Sequence, residues 1–398
     1  MALNGLKLLG AAAAATFVFG AGAAHAQGAK IGFLTDITGA SGVLGGESST
    51  VAVKMAIKDF GGEVLGKPIE LVVADQQNKP DVALAVAREW IETQGVTAIL
   101  DVNNSAAALA VTGLTRDKNT IFLGGGSTTK LTNEECADTH TQWIPSSHSL
   151  SNAVTLPLVK LGNDNWFIIT VDYAFGHDLE AKMTDALKSA GAKVVGSVRH
   201  SPQTTDYSSF LLEAQSKGAK TIALATFGSY MVNIIKQANE FGMDVKLVPV
   251  YLALTDIKAI GLENLKNVSG ATPFYWGRNE KTKEFAERYR KEFGRPPTFH
   301  NAQVYSATTH YLKAVKKAGT TEAKAVAAAM RSFPVEDATD TSAYVREDGR
   351  VMRDMYIFDV KTPAESTGEW DFLKITAVAD KEDIDPPLSK STCALVKK

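Results

Sequence analysis

The chain has 398 residues, of which 45% are hydrophobic and 8% aromatic, and its 42 basic and 44 acidic side chains leave a formal net charge of −2. That composition is globular, and the absence of any lysine or arginine block excludes a nucleic-acid or anionic-membrane surface. The length exceeds what one hydrophobic core usually holds, so two lobes are expected.

At the N-terminus Lys7 is the lone charge ahead of an apolar run from Leu8 through Phe19, and small residues then lead to Ala24-His25-Ala26. This is the pattern of a secretory signal peptide, residues 1–26, cleaved before Gln27. The run is short for a membrane span, and no cysteine follows it to carry a lipid. Export places the chain in an oxidising compartment. There Cys136 and Cys393, which lack metal-ligand spacing, are expected to form a disulfide that pins the C-terminal tail to the body.

From Lys30 onward, short β-rich runs alternate with helical periods. Strands are expected at KIGFLTD (30–36), IELVVAD (69–75), TAILDV (97–102) and TIFLG (120–124). Between them ESSTVAVKMAIKDF, PDVALAVAREWIET and SAAALAVTGLTRD repeat apolar residues at three and four positions, as helices with one buried face do. Pro80-Asp81 opens the second helix, and Ser105 is placed to cap the third.

The alternation then restarts with NWFIITV (165–171), KVVGSVR (193–199), TIALAT (221–226), KLVPVY (246–251) and VSGATPFYW (268–276) as strands, with helices between them. Two such series predict two parallel sheets, each covered by helices on both faces. After Trp276 come three helical stretches, and YVREDGRVMRDMYIFDV reads as a hairpin about Asp348-Gly349. These helices need an apolar surface, for which the first lobe's sheet is a candidate, so the chain is expected to cross between lobes more than once.

The stretch LGGGSTTKLTNEE (123–135) sets three glycines before a run of hydroxyl residues. It lacks the lysine-serine pair of a Walker loop, and Thr129 spoils a GxGxxG reading. No GxSxG elbow, HExxH or catalytic cysteine context occurs, and His140 and His148 do not make a metal site, so neither an enzyme nor a cofactor is expected. Ligands of open α/β sheets sit beyond the carboxyl ends of strands. In the first series those ends carry Thr38, Gly39, Ala40 and Ser41, then Asn103, Asn104, Ser105 and Ala106, then Gly125, Gly126 and Ser127. Small neutral residues with hydroxyls and free amides suit a carboxylate. The second series ends in Tyr173 and Phe175, Phe227 and Tyr230, Tyr251, then Phe274, Tyr275 and Trp276. Any one of these rings would serve equally in core or hinge packing; as a group they would form aromatic walls.

The segments IGFLTDITGASGVLGGESSTVAVKMAIKDFGG, VLGKPIELVVADQQNKPDVALAVAREWI, IFLGGGSTTKLTN, VDYAFGHD and TTDYSSFLLEAQSKGAKTIAL occur in that order. On them the chain from Lys30 to about Val360 resembles the leucine/isoleucine/valine-binding family of periplasmic solute receptors for ABC importers. The resemblance implies an α/β fold of two Rossmann-like lobes, each a parallel sheet flanked by helices, joined by a three-crossover hinge. It implies an N-terminal lobe of 27–146 and 276–346, a C-terminal lobe of 147–275 and 347–380, and a tail of 381–398. It also implies carboxylate binding by Ser105, Ala106, Gly126 and Ser127, stacking on Phe175 and near Phe227, and an opening loop from Thr38 to Ser41. The implied partner is a membrane permease, and the implied state a monomer. Amino-acid members hold the ammonium with a second-lobe acid, but here Val250 and Tyr251 are followed by no acid until Asp256, and Asp172 could equally substitute or hold its own loop. The expected ligand is therefore a carboxylate without an α-amino group, such as a benzoate or phenylpropanoid. A hydrophobic amino acid, or a sensing role with the same fold, is the alternative.

Overall fold

The computed structural model describes Met1 and residues 28–266, 268–340 and 342–397. The expected signal segment therefore lies outside the described residues, apart from Met1. The first series runs β1 (Lys30–Thr35), α1 (Gly46–Phe60), β2 (Glu63–Val64), β3 (Lys67–Pro68), β4 (Glu70–Asp75), α2 (Pro80–Thr93), β5 (Ala98–Asp101), α3 (Ser105–Thr115), β6 (Ile121–Gly124) and β7 (His140–Gln142). Strands β1, β5 and β6 are apolar through most of their length and almost wholly buried, as strands covered on both faces must be. They form a five-stranded parallel sheet in the order β4-β1-β5-β6-β7. The small β2–β3 hairpin and β7 were not legible in the sequence; β7 reads His-Thr-Gln and has no apolar alternation.

Helix α4 (Ser147–Lys160) leads into β8 (Asn165–Val171), α5 (Ala174–Ser189), β9 (Lys193–His200), α6 (Ser208–Ser216), β10 (Thr221–Ala225), α7 (Gly228–Glu240), β11 (Lys246–Pro249), α8 (Leu254–Ile260) and β12 (Ser269–Thr272). Strands β8 to β11 make a four-stranded parallel sheet in the order β11-β10-β8-β9. Strand β12 departs from expectation, because it belongs to neither parallel sheet.

The remaining elements are α9 (Glu280–Phe293), α10 (Phe299–Ala318), α11 (Ala323–Arg331), β13 (Tyr344–Val345), β14 (Val351–Met352), β15 (Met355–Val360), β16 (Leu373–Ala379) and α12 (Lys381–Ile384). Helices α9 and α10 pack on α1, and α11 reaches β6, so the returning chain covers the first sheet. Tyr311 of α10 shares a 2.8 Å hydrogen bond with Thr97, beside β5. The hairpin expected over 344–360 is confined to β13 and β14. Strand β15 instead lies between β12 and β16 in an antiparallel three-stranded sheet. The result is two parallel α/β lobes with chain passing between them. Cys136 and Cys393 form the expected disulfide, with their Cα atoms 5.7 Å apart.

Candidate functional site

In the first sheet β1 is followed by β4 on one side and β5 on the other, so the loops leaving β1 and β5 diverge and open a crevice. In the second sheet β8 is likewise followed by β9 on one side and β10 on the other. The two crevices face one chamber. It is lined by Ser41, Leu44, Asn103, Ser127, Ile144 and His300 from one side and by Tyr173, Phe175, Phe227 and Tyr251 from the other.

The first-lobe wall is polar. Ser41 is buried, and its N–H donates to Asp36 at 2.9 Å, an aspartate that also receives the Gly39 N–H at 2.8 Å. Burial raises the Asp36 carboxyl above its ordinary range, the Ser41 and Gly39 amides pull it back, and the charges of Asp75 and Asp101 raise it further. Ser105 begins α3 and is buried, and its hydroxyl finds no partner within the chain. Ala106, half-buried, follows it in the same first turn.

Gly126 lies so close to α3 that a Cβ there would come within 2.7 Å of the Ala108 methyl and 3.3 Å of the Ser105 backbone. Beside it, a Cβ on Gly125 would come within 2.2 Å of the Asp101 carboxylate. These glycines therefore permit the turn after β6 to press against the N-terminus of α3. Ser127 follows, buried, and its carbonyl accepts the Ser147 N–H at 2.8 Å.

The second-lobe wall is aromatic. Tyr173 and Phe227 are the N-cap residues of α5 and α7, Phe175 lies in the first turn of α5, and Tyr251 follows β11. Phe175 meets Phe227 edge to face, with ring centres 5.6 Å apart, and Tyr251 at 6.3 Å. Tyr251 also meets Phe299 of the first lobe at 4.8 Å. Burial first, then the neighbouring Tyr230, Asp36 and Tyr251, pushes the Tyr173 phenol far up; burial and then Asp101 and Asp256 do the same to Tyr251. Both phenols are neutral at any ordinary pH.

Of the residues expected at the site, Ser105, Ala106, Gly126, Thr38, Asn104 and Tyr275 are not among those that line the chamber, and the last three are engaged elsewhere. Thr38 is exposed and donates its hydroxyl to Asp75 at 2.6 Å. The Asn104 side chain caps α3 by accepting the Ala107 N–H at 3.0 Å, while its amide nitrogen donates to the Asn78 side chain at 2.7 Å. Tyr275 lines a separate groove with Trp276 and Trp370, and its hydroxyl donates to Asp371 at 3.2 Å.

The two acids weighed as ammonium partners are engaged elsewhere. Asp172 is exposed and pairs with His177 at 2.6 Å. Asp256 is buried in the first turn of α8 and accepts the Ala253 N–H at 2.9 Å. Leu44, Ile144 and His300 line the chamber without having been expected there. For His300 no local signal exists, because it arrives from α10, some two hundred residues beyond the loop it joins.

A family model described as periplasmic binding protein matches residues 28–368. The Leu/Ile/Val-binding protein homolog 7 of Brucella suis biovar 1 is 24% identical over 358 residues, covering 85% of this chain and 89% of that one. The crystal structure of a periplasmic binding protein from Burkholderia mallei is 38% identical and superposes with a TM-score of 0.90 over 93% of this chain and 99% of its own. A solute-binding protein of an ABC transporter from Rhodopseudomonas palustris BisB5, solved with 3,4-dihydroxybenzoic acid, is 22% identical, with a TM-score of 0.81 over 89% and 97%.

Proposed function

The chain belongs to the periplasmic binding protein family, and from that premise we propose that its ligand is a small aromatic carboxylate of the benzoate or phenylpropanoid type, held between the lobes and handed to a membrane permease. The coarser reading, a periplasmic solute-binding protein of an ABC transporter, is the activity of the family. Among the described residues no helix is long and apolar enough to cross a membrane. In this reading the chain is exported, loses residues 1–26, and works as a monomer.

One observation carries the choice of ligand. The chamber sets neutral hydrogen-bonding groups on Ser41, Asn103 and Ser127 opposite four aromatic rings, and no aspartate or glutamate is among its lining residues. A carboxylate finds donors there, an arene finds edges and faces, and an α-ammonium finds no carboxylate partner, which is costly in a closed site. The family relative's name and the dihydroxybenzoate in the Rhodopseudomonas neighbour mark the two ligand classes to compare.

The test is a melting-temperature panel of benzoate, 4-hydroxybenzoate, a phenylpropanoid acid, leucine and valine. A ligand at a hundred times its Kd adds about 2.7 kcal/mol of stability, easily read as a shift. The acids are expected to raise the midpoint. A shift with leucine or valine and none with the acids sinks this reading in favour of amino-acid binding.

A further inference from the structure

Residues from distant parts of the first lobe converge behind Ser41. His300, at the second position of α10 and 1% exposed, lines the chamber and directs Nε2 at the Asp101 carboxylate, 3.3 Å from Oδ2, while its Nδ1 has no partner within the chain. Asn103 accepts a hydrogen bond from the Gln76 side-chain N–H through Oδ1 and leaves Nδ2 likewise unpartnered. The Ser105 hydroxyl at the start of α3 is also buried without a partner, but it does not line the chamber, so the free donors at the cavity are those of His300 and Asn103. Buried polar atoms in native proteins are nearly always paired, so a convergent group left free at a cavity marks what the cavity takes.

The backbone beneath is strained to make this arrangement. Asp101 has φ 79° and Val102 φ 57°, left-handed values that are rare for any side chain and rarer for a β-branched one. Such strain persists where surrounding structure enforces it, commonly at sites. Here it places the Asp101 carboxylate between Gly125 and the imidazole of His300.

We propose that His300 determines the chamber's preference for an anionic ligand: oriented by Asp101 through Nε2, it presents Nδ1 to the ligand carboxylate and carries both ring protons in the complex. The reasoning is one of proton count. A carboxylate has only acceptors, so an imidazole between Asp101 and a ligand carboxylate must donate from both nitrogens, and an imidazole that does so is a cation. No lysine or arginine lines the chamber, so His300 supplies its positive charge. The other titratable and charged groups around it are Asp36 beyond β1, Tyr173 and Tyr251 of the facing lobe, and Arg295, which bonds the adjacent Asn301 at 3.3 Å. Asp101 acts here as a positioning residue. The inference rests on the carboxylate reading above, but on the carboxylate alone and not on the aromatic ring.

The experiment uses the full mature chain with benzoate, leucine and benzamide as probes, so that whichever carboxylate the protein binds tests His300. In His300→Gln the bound carboxylate is expected to weaken about 10- to 100-fold, the range of a lost charge-assisted hydrogen bond. The discrimination between acid and amide should collapse with it. Wild-type affinity for the carboxylate should fall with rising pH, and the variant should be flat. Binding of leucine and not benzoate, with the His300 effects intact, retires the aromatic reading and keeps this one. A wild-type pH profile without slope, or a variant that keeps both affinity and acid-to-amide discrimination, overturns it.

Discussion

Ser127 and Phe175 belong to opposite walls of the chamber and should fail differently when changed. Ser127→Ala removes a hydroxyl while the backbone bond from Ser147 stays, so ligand affinity should drop by about tenfold with folding stability nearly unchanged. Gly126→Ala forces a methyl against Ala108 at the helix N-terminus; urea unfolding should show a loss of about 1–3 kcal/mol, with ligand binding weakened as Ser127 shifts. Unchanged stability in Gly126→Ala would mean that α3 and the turn yield freely. At this scale the sequence announced only part of the site. Ser41, Ser127, Phe175 and Phe227 were legible because they follow parallel strands, whose carboxyl ends all point the same way. Tyr275 was assigned by the same rule, but β12 runs antiparallel to β15, so its exit points away from the chamber. Asn104 is one residue from Asn103 and chemically identical, and only the geometry of the helix start decides which one caps and which one faces the cavity.

Among the elements, α8 carries a carboxyl in an unusual state. Asp256 is buried at its first turn, and burial pushes its carboxyl up to about 7 despite the Ala253 N–H, which favours the charged form. In the unfolded chain the same group titrates near ~3.9. Below that value both states hold the proton. Between about 4 and 7 the folded chain keeps it and the unfolded one does not, so stability falls as pH rises through this window and levels off above it. Asp256→Asn keeps an oxygen for the Ala253 N–H and should flatten that part of the stability profile, as read by denaturant midpoints at stepped pH. An undiminished slope would assign it to other groups.

The boundaries of α1, α2 and β8 followed closely from period, since their apolar runs are regular and α2 opens on Pro80. Helix α4 escaped notice because SHSLSNAVTLPLVK is rich in serine and holds Pro157, so its helical signal is weak and tertiary packing decides. Strand β16 escaped because most of it is exposed, and its pairing with β15 lies in tertiary contact rather than pattern.

At the scale of the whole molecule the chain is tied at two places, and each tie makes a prediction. The disulfide closes a loop across 257 residues, joining the tail to the segment after β6. The tail is also held by a 2.8 Å bond from Ser149 to Asp385, whose carboxylate lies 3.4 Å from Arg350. Cys393→Ser should cost about 2–5 kcal/mol, towards the low end because those contacts remain, and reductant should lower the wild-type melting point but not the variant's. The second tie joins the lobes. Thr129, beyond β6, donates its N–H at 2.7 Å and its hydroxyl at 2.9 Å to the carboxylate of Asp178 on α5. Bonds that span the two lobes are expected to favour the closed form whatever the ligand. A ligand held by both walls needs the lobes to part for entry and to close for retention. Loss of the latch reduces the closed population, and apparent affinity falls in the same proportion. Asp178→Ala should therefore raise the ligand's off-rate about tenfold while the on-rate stays nearly constant, because the change lies outside the lining residues. Stopped-flow fluorescence of the tryptophans would read both rates. An unchanged off-rate would show that the aromatic wall and the donors close the lobes unaided.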